Sequence, residues 1–191
     1  MMRFRANIGG AMALLLALSG CAGGGGGGFR PVSDTPVRIG PAYTVRGQTY
    51  VPAASPTYDM LGYASWYGRE SGNRTANGEA FIPGWVTAAH TTLPLPSYVE
   101  VTALDSGRRI IVRVNDRGPF VGRARIIDLS RGAADQLGVR AQGQVSVRVR
   151  RVEPSEEDRA RLRRGQPARP LPPVPEPILR NLRGQLSAAG F

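Results

Sequence analysis

Asp116, Glu79 and His90 are the residues of this chain best placed to do chemistry, because each stands where a regular pattern breaks and a polar group can be turned outward. In Arg113-Val114-Asn115-Asp116-Arg117-Gly118-Pro119-Phe120 a strand-like run gives way to a turn, with Gly118-Pro119 as the stop. A carboxylate at such a strand end is displayed for use. Glu79 closes Thr75-Ala76-Asn77-Gly78-Glu79, whose Asn-Gly pair is a turn signal. His90 closes Thr87-Ala88-Ala89-His90 and is the only histidine. Two carboxylates and an imidazole are the groups of general acid–base chemistry. A metal site from the same three residues is the poorer reading, since one histidine without a free cysteine suits zinc badly. Each residue also has a plainer reading. Asp116 before Arg-Gly-Pro can be a turn former, Glu79 a solvated carboxylate beyond its turn, and His90 a satisfied core histidine. Asp128, near another strand end, reads mainly as structural because Ser130 and a helix start follow it.

The elements that must position these residues are short and mostly extended. Period-two alternation predicts strands over 62–67, 98–104, 108–115, 125–128 and 144–152, with Asp105-Ser106-Gly107 as a turn. One short helix is expected, with Ser130 as N-cap, Ala133, Ala134 and Leu137 facing inward and Gly138 as the stop. Short strands with a single helix argue for a small closed barrel, which hides its edges by closure. The chain therefore divides into residues 1–20, a signal peptide; 21–60, a flexible arm; 61–152, the barrel; and 153–191, a charged, proline-rich tail. Within the arm, Tyr43-Thr44-Val45 and Thr49-Tyr50-Val51 could pair as a small hairpin. In the tail, Ser155-Glu156-Glu157-Asp158 looks like a helix start, but the arginines that follow leave little apolar face, so a frayed, solvated helix is expected. Pro170 to Pro177 should be polyproline-like, and Ile178, Leu179, Leu182 and Leu186 form a weak stripe expected to dock loosely or stay disordered.

Net charge is +11 over 191 residues, all of the positive charge coming from arginine, which favours a polyanionic partner. Compartment decides which one. Arg3 and Arg5 precede an apolar run over 11–18 that is shorter than the roughly 20 residues of a bilayer span and suits a secretory signal. Leu18-Ser19-Gly20-Cys21 resembles the bacterial lipobox, which implies cleavage before Cys21 and lipid attachment to it. Ala22 at the next position, with no aspartate there, favours the outer membrane by the same resemblance. The glycine run over 23–28 then reads as a tether. Export to the envelope argues against nucleic acid as the partner.

Five motifs in a fixed order carry a further resemblance: 62–68 (Gly-Tyr-Ala-Ser-Trp-Tyr-Gly), 75–79, 87–90, 115–120 and Ile127-Asp128-Leu129-Ser130. Together they resemble the rare lipoprotein A (RlpA) family. The resemblance implies a six-stranded double-psi β-barrel and a lytic transglycosylase that cuts peptidoglycan glycan strands, by preference those stripped of stem peptides, without any cofactor. On that basis Asp116 is expected to move the proton and Glu79 to stabilise charge on the sugar or share the proton work. His90 would orient a carboxylate or bond the N-acetyl group. Trp66, Tyr67, Trp85 or Phe120 would stack on sugar, and Arg117 and Arg113 would meet the lactyl carboxylates. The main rival is an expansin-like module that binds and loosens the wall without cutting it, and a third reading is a hydrolase using Asp116 and Glu79 across a water. Residues 153–191 look too few and too proline-rich for the SPOR domain that many family members carry, so septal targeting and any divisome partner are left open.

Overall fold

The apolar alternation is realised as strands that close on themselves. The computed structural model describes residues 28–68, 72–122 and 124–190; the expected signal peptide and Cys21 lie outside them. Strands β1 (Tyr43–Val45) and β2 (Gln48–Tyr50) make the small hairpin of the arm, with Tyr43 opposite Tyr50. Six more build the barrel: β3 (Asp59–Tyr67), β4 (Thr87–Ala89), β5 (Ser97–Ala103), β6 (Arg109–Asp116), β7 (Arg125–Ser130) and β8 (Val145–Arg151). Their order around the barrel is β3-β7-β4-β6-β5-β8, and it is closed. The pairs β3·β7 and β4·β6 are parallel and the rest antiparallel. Inward-facing Val99, Val101, Val112, Val114, Val147 and Val149, all fully buried, fill the interior where period two predicts.

Helix α1 (Arg131–Leu137) follows its sequence signals residue by residue. The Ser130 hydroxyl accepts the Ala133 N–H, Ala133, Ala134 and Leu137 are buried, and Gly138 ends the helix in the left-handed region. Two further helices correct the expectation of a single one: α2 (Glu156–Arg163) and α3 (Glu176–Ala188). The tail arginines do not solvate α2 into fraying, because they find partners. Arg163 meets Glu156 and Asp34, and Arg169 meets Asp158 at 3.0 Å. Leu162, fully buried, joins the barrel core. The chain leaves α2 through Gly165, packed so tightly on Trp85 that a Cβ there would lie 2.2 Å from its Cγ. The proline-rich stretch is tied down by Arg109, whose Nε donates to the Pro172 carbonyl at 2.6 Å, and by Val174 N–H on the Gly107 carbonyl. In α3, Leu179, Leu182 and Leu186 cover Leu104 and the outer face of Leu61 and Tyr63, while Ile178 faces solvent.

The arm is also pinned. Arg38 and Leu95 exchange both backbone hydrogen bonds at 2.8 Å, and the Arg30 N–H donates to the Gly78 carbonyl at 2.7 Å. The sequence offered no apolar repeat for this contact, because it is made by backbone groups and by charge.

Candidate functional site

β4 decides the geometry of the site. It is only three residues long and buried on both faces, and it runs between β6 and β7 so that Ala89 is opposite Asp116 on one side and Asp128 on the other. A methyl group between two strand carboxylates, Asp116 and Asp128, leaves space, and a cleft of about 300 Å³ opens there with Tyr67, Arg74 and Phe120 also in its wall. Asp116 is half-buried. Its Oδ1 accepts backbone N–H bonds from Ala76 and Arg117, both at 2.8 Å. Burial nevertheless holds its carboxyl above the usual range, against the lowering pull of those two bonds and of the Arg117 charge. That is the condition a proton donor near neutral pH requires.

Glu79 belongs to a different environment. It is 1% exposed, and Arg113, also 1% exposed, forks onto both its oxygens at 2.6 and 2.8 Å. Asn77 and Asn115 add amide bonds at 2.9 Å each, so all four acceptor positions of the carboxylate are taken. The turn before it is equally closed. Thr75 and Glu79 bond through their backbones at 2.9 Å, Gly78 adopts φ +82°, open to glycine without strain, and the Asn77 N–H donates to Asn115. What the turn sends to the cleft is the Ala76 N–H, while its carboxylate points into the fold.

His90 is buried as well. Its Nδ1 accepts the backbone N–H groups of Thr92 and Leu93, both at 3.1 Å, and its ring meets Tyr58 edge-on. Burial, helped by the Arg117 charge, pulls its pKa down to about 3, so it is a neutral imidazole with its proton on Nε2. Its contribution to Asp116 is through the backbone: the His90 N–H donates to the Asp116 carbonyl at 3.0 Å. The structure thus gathers the three expected residues into one neighbourhood but turns only the Asp116 carboxylate toward the cleft.

The remaining candidates divide by strand alternation. Tyr67 lines the cleft, stacked on Phe81 at 4.9 Å, and its hydroxyl, beside Thr87, is buried without a partner of hydrogen-bond geometry. Trp66, one residue earlier, points to the other side, where its Nε1 donates to the Arg140 carbonyl and Arg140 covers its ring. Trp85 lies beneath Gly165. Phe120 borders the cleft and joins the arm hairpin, 5.6 Å from Tyr50 and 6.1 Å from Tyr43. Arg117 also lines the cleft, but its guanidinium is spent on the carbonyls of His90, Leu93 and Ile39 and stacks over Tyr43. Two cleft residues escaped the sequence reading. Arg74, exposed and without any hydrogen bond or ion pair from its guanidinium among the described residues, lies just before the Thr75 turn and carries no pattern of its own. Asp128 was read as mainly structural, and it lines the cleft, held by Arg125 at 2.6 Å and by the Ser65 hydroxyl at 2.7 Å. Its position near a strand end, the same signal that marked Asp116, was the available clue. Among the described residues no group of three or more His, Cys, Asp or Glu is arranged to hold a metal ion.

Residues 59–149 match a protein-family model described as Lytic transglycolase. The chain is 54% identical over 114 residues to the endolytic peptidoglycan transglycosylase RlpA of Pseudomonas aeruginosa, covering 59% of this chain and 33% of that protein. Over this stretch the barrel matches the RlpA family. The RlpA proteins of Neisseria meningitidis and Rickettsia bellii are 46% and 44% identical over 117 and 116 residues, covering 60% and 59% of this chain and 48% and 51% of theirs. The chain thus spans a third to a half of the length of these RlpA relatives. Among solved structures, the Streptomyces papain inhibitor aligns at TM-score 0.42 and 25% identity, covering 50% of this chain and 96% of the inhibitor. The apo expansin of Clavibacter michiganensis aligns at 0.40 and 18%, covering 51% and 52%.

Proposed function

We propose that this chain is an endolytic peptidoglycan transglycosylase in which Asp116 transfers the proton. The supporting observation is the Asp116 carboxyl, held above its usual pKa by burial, in the cleft of a barrel that matches the lytic-transglycolase family model. In the reaction, protonated Asp116 gives its proton to the glycosidic oxygen leaving from N-acetylmuramic acid. The C1–O bond breaks, the C6 hydroxyl oxygen of the same sugar bonds to C1, and its proton returns to the Asp116 carboxylate. A 1,6-anhydro ring results without water. An intramolecular nucleophile lets one carboxyl group serve first as acid and then as base, and so relieves Glu79 of any direct proton work.

Glu79 and His90 act here as supports: Glu79 shapes the turn that presents the Ala76 N–H, and neutral His90 fixes the strand end. A sugar oxygen that reaches the buried Tyr67 hydroxyl, beside Thr87, would give it an acceptor. Arg74 replaces Arg117 and Arg113 as the group that meets a lactyl carboxylate, because it alone of the three has a free guanidinium. That assignment gives a reason for preferring strands stripped of stem peptides, where the carboxylate is free and not an amide. Arg117 also borders a second groove of about 240 Å³ whose wall includes the arm, through Arg38, Tyr43 and Pro52. A strand that runs through both places suits cutting within the chain. Lipid on Cys21 would hold the enzyme at the outer membrane, facing its substrate.

Mass spectrometry of products from purified peptidoglycan and from amidase-treated strands, with wild type beside Asp116→Asn, tests the proposal. Anhydro-muramyl ends absent from the variant are expected. Binding without cleavage by folded wild type would move the protein to the expansin-like reading, and reducing ends in place of anhydro rings would make it a hydrolase.

A further inference from the structure

A row of alternating charges runs from the tail to the active-site turn. Arg163 of α2 pairs with Asp34 of the arm. The other Asp34 oxygen accepts from Arg113 Nε at 3.2 Å and from the Tyr98 hydroxyl at 2.8 Å. Arg113 in turn holds Glu79, at the end of the turn whose Ala76 N–H meets Asp116. Only Arg113 and Glu79 fall within residues 59–149; Asp34 and Arg163 come from either side of the family-matched stretch.

Physical chemistry makes the outer two charges consequential. A guanidinium with 1% exposure must satisfy every donor inside the protein. Glu79 takes the two terminal nitrogens, the Ser33 carbonyl shares one of them at 2.8 Å, and Asp34 takes Nε. Burial raises the Asp34 pKa, but the bonds from Tyr98, Arg163 and Arg113 outweigh it and keep the group ionised. Without that charge the fork on Glu79 loses its fixed back and can roll, and the turn rolls with it. The arm grips the same turn from outside, Arg30 Nη1 bonding Asn77 at 2.5 Å.

We propose that Asp34, clamped by Arg163, is a positioning residue of the active site: it fixes Arg113 and Glu79 and so keeps the Ala76 N–H on the Asp116 carboxylate. The inference rests on the reading of Asp116 as the proton-transferring group.

Its test is the pH dependence of kcat and KM on denuded strands for the full chain and for Asp34→Asn, Arg163→Met and Arg163→Lys. Losing the Ala76 bond raises the Asp116 pKa further, so the alkaline limb, where the acid form disappears, moves to higher pH. Among the described residues, the other ionisable or charged groups facing Asp116 are Tyr43, Tyr67, Arg74, His90, Arg117 and Asp128, none of which bonds Asp34 or Arg163. At neutral pH kcat should fall about tenfold in Asp34→Asn and less in Arg163→Met, with KM little changed, as expected for a misplaced reacting group. Arg163→Lys should restore the wild-type limb. NMR titration of the Asp116 carboxyl reads the same displacement without turnover. A lowered melting temperature with the titration and the limb unmoved in Asp34→Asn and Arg163→Met would overturn the proposal and leave Asp34 a structural tie. A displaced titration in a wild-type background that releases no anhydro products would uphold the positioning and sink the functional reading alone.

Discussion

Two polar clusters sit on neighbouring turns of this barrel and contrast in every respect that bears on reactivity. Around Glu79 every acceptor position of the carboxylate is matched to a donor and Arg113 balances its charge, although the neighbouring Asn115 Oδ1 is buried without a partner. Around Asp116 the matching is incomplete: the carboxyl has a raised pKa and, among the described residues, the Tyr67 hydroxyl beside Thr87 has no partner of hydrogen-bond geometry and nothing bonds the Arg74 guanidinium. A saturated cluster holds a fold in register; an unsaturated one has capacity left for a substrate. The contrast teaches that two carboxylates equally prominent in a motif can have opposite duties, and that counting their hydrogen bonds separates them.

The sharpest attempt to break this contrast removes each carboxylate in turn. Asp116→Asn should cut the release of anhydro products by about 10²–10⁴-fold while leaving the melting temperature unchanged or slightly higher, measured by product assay and calorimetry. Glu79→Ala should do the reverse in emphasis, removing about 3–5 kcal/mol of stability in a denaturant titration, because it strands a buried guanidinium. Equal stability losses in both variants would erase the distinction. Tyr67→Phe comes next. Deleting a hydroxyl without an intramolecular partner should cost the fold nothing measurable yet slow turnover by about tenfold, and a loss above about 1 kcal/mol would show that the hydroxyl is bonded within the protein after all.

His90 supplies a smaller effect that only the matched regions can show. Its folded-state pKa of about 3 lies below its ordinary 6.5, so the folded protein favours the neutral form. The stabilisation is present above pH 6.5 and is lost as pH falls toward 3. His90→Asn, which keeps an acceptor for Thr92 and Leu93, should flatten the stability–pH curve in that window. Smallest of all, Arg74→Met should leave cleavage of amidated strands intact and weaken binding of strands with free lactyl carboxylates, seen as a rise in KM for the latter alone.

Much of this was legible in the chain itself. Val99 to Val149 announced the barrel by alternation, α1 by Ser130 and Gly138, and Asp116 by its strand end. β4 was missed because Thr87-Ala88-Ala89, three small residues buried on both faces, shows no alternation at all. The inward turn of Glu79 and the backbone contacts of Arg117 were not legible because motif spacing locates a side chain without saying which way it points. The docking of α2 was hidden for another reason. A helix that carries one buried leucine and many arginines has no apolar face to read, and its stability comes from Asp34, Glu156 and Asp158, only two of which are its own neighbours in sequence.

The seat of Gly165 on Trp85, together with Leu162 in the barrel core, bears on how the gene can be cut and spliced. Residues 59–149 look like a portable module, but excising them would bare the indole and the strip of Leu104, Leu61 and Tyr63 beneath α3. The transplantable unit is longer than the motif-bearing stretch. A fusion that keeps residues 28–190 together should behave as one cooperative block, whereas a graft of the barrel alone would bring an adhesive scar to its new host.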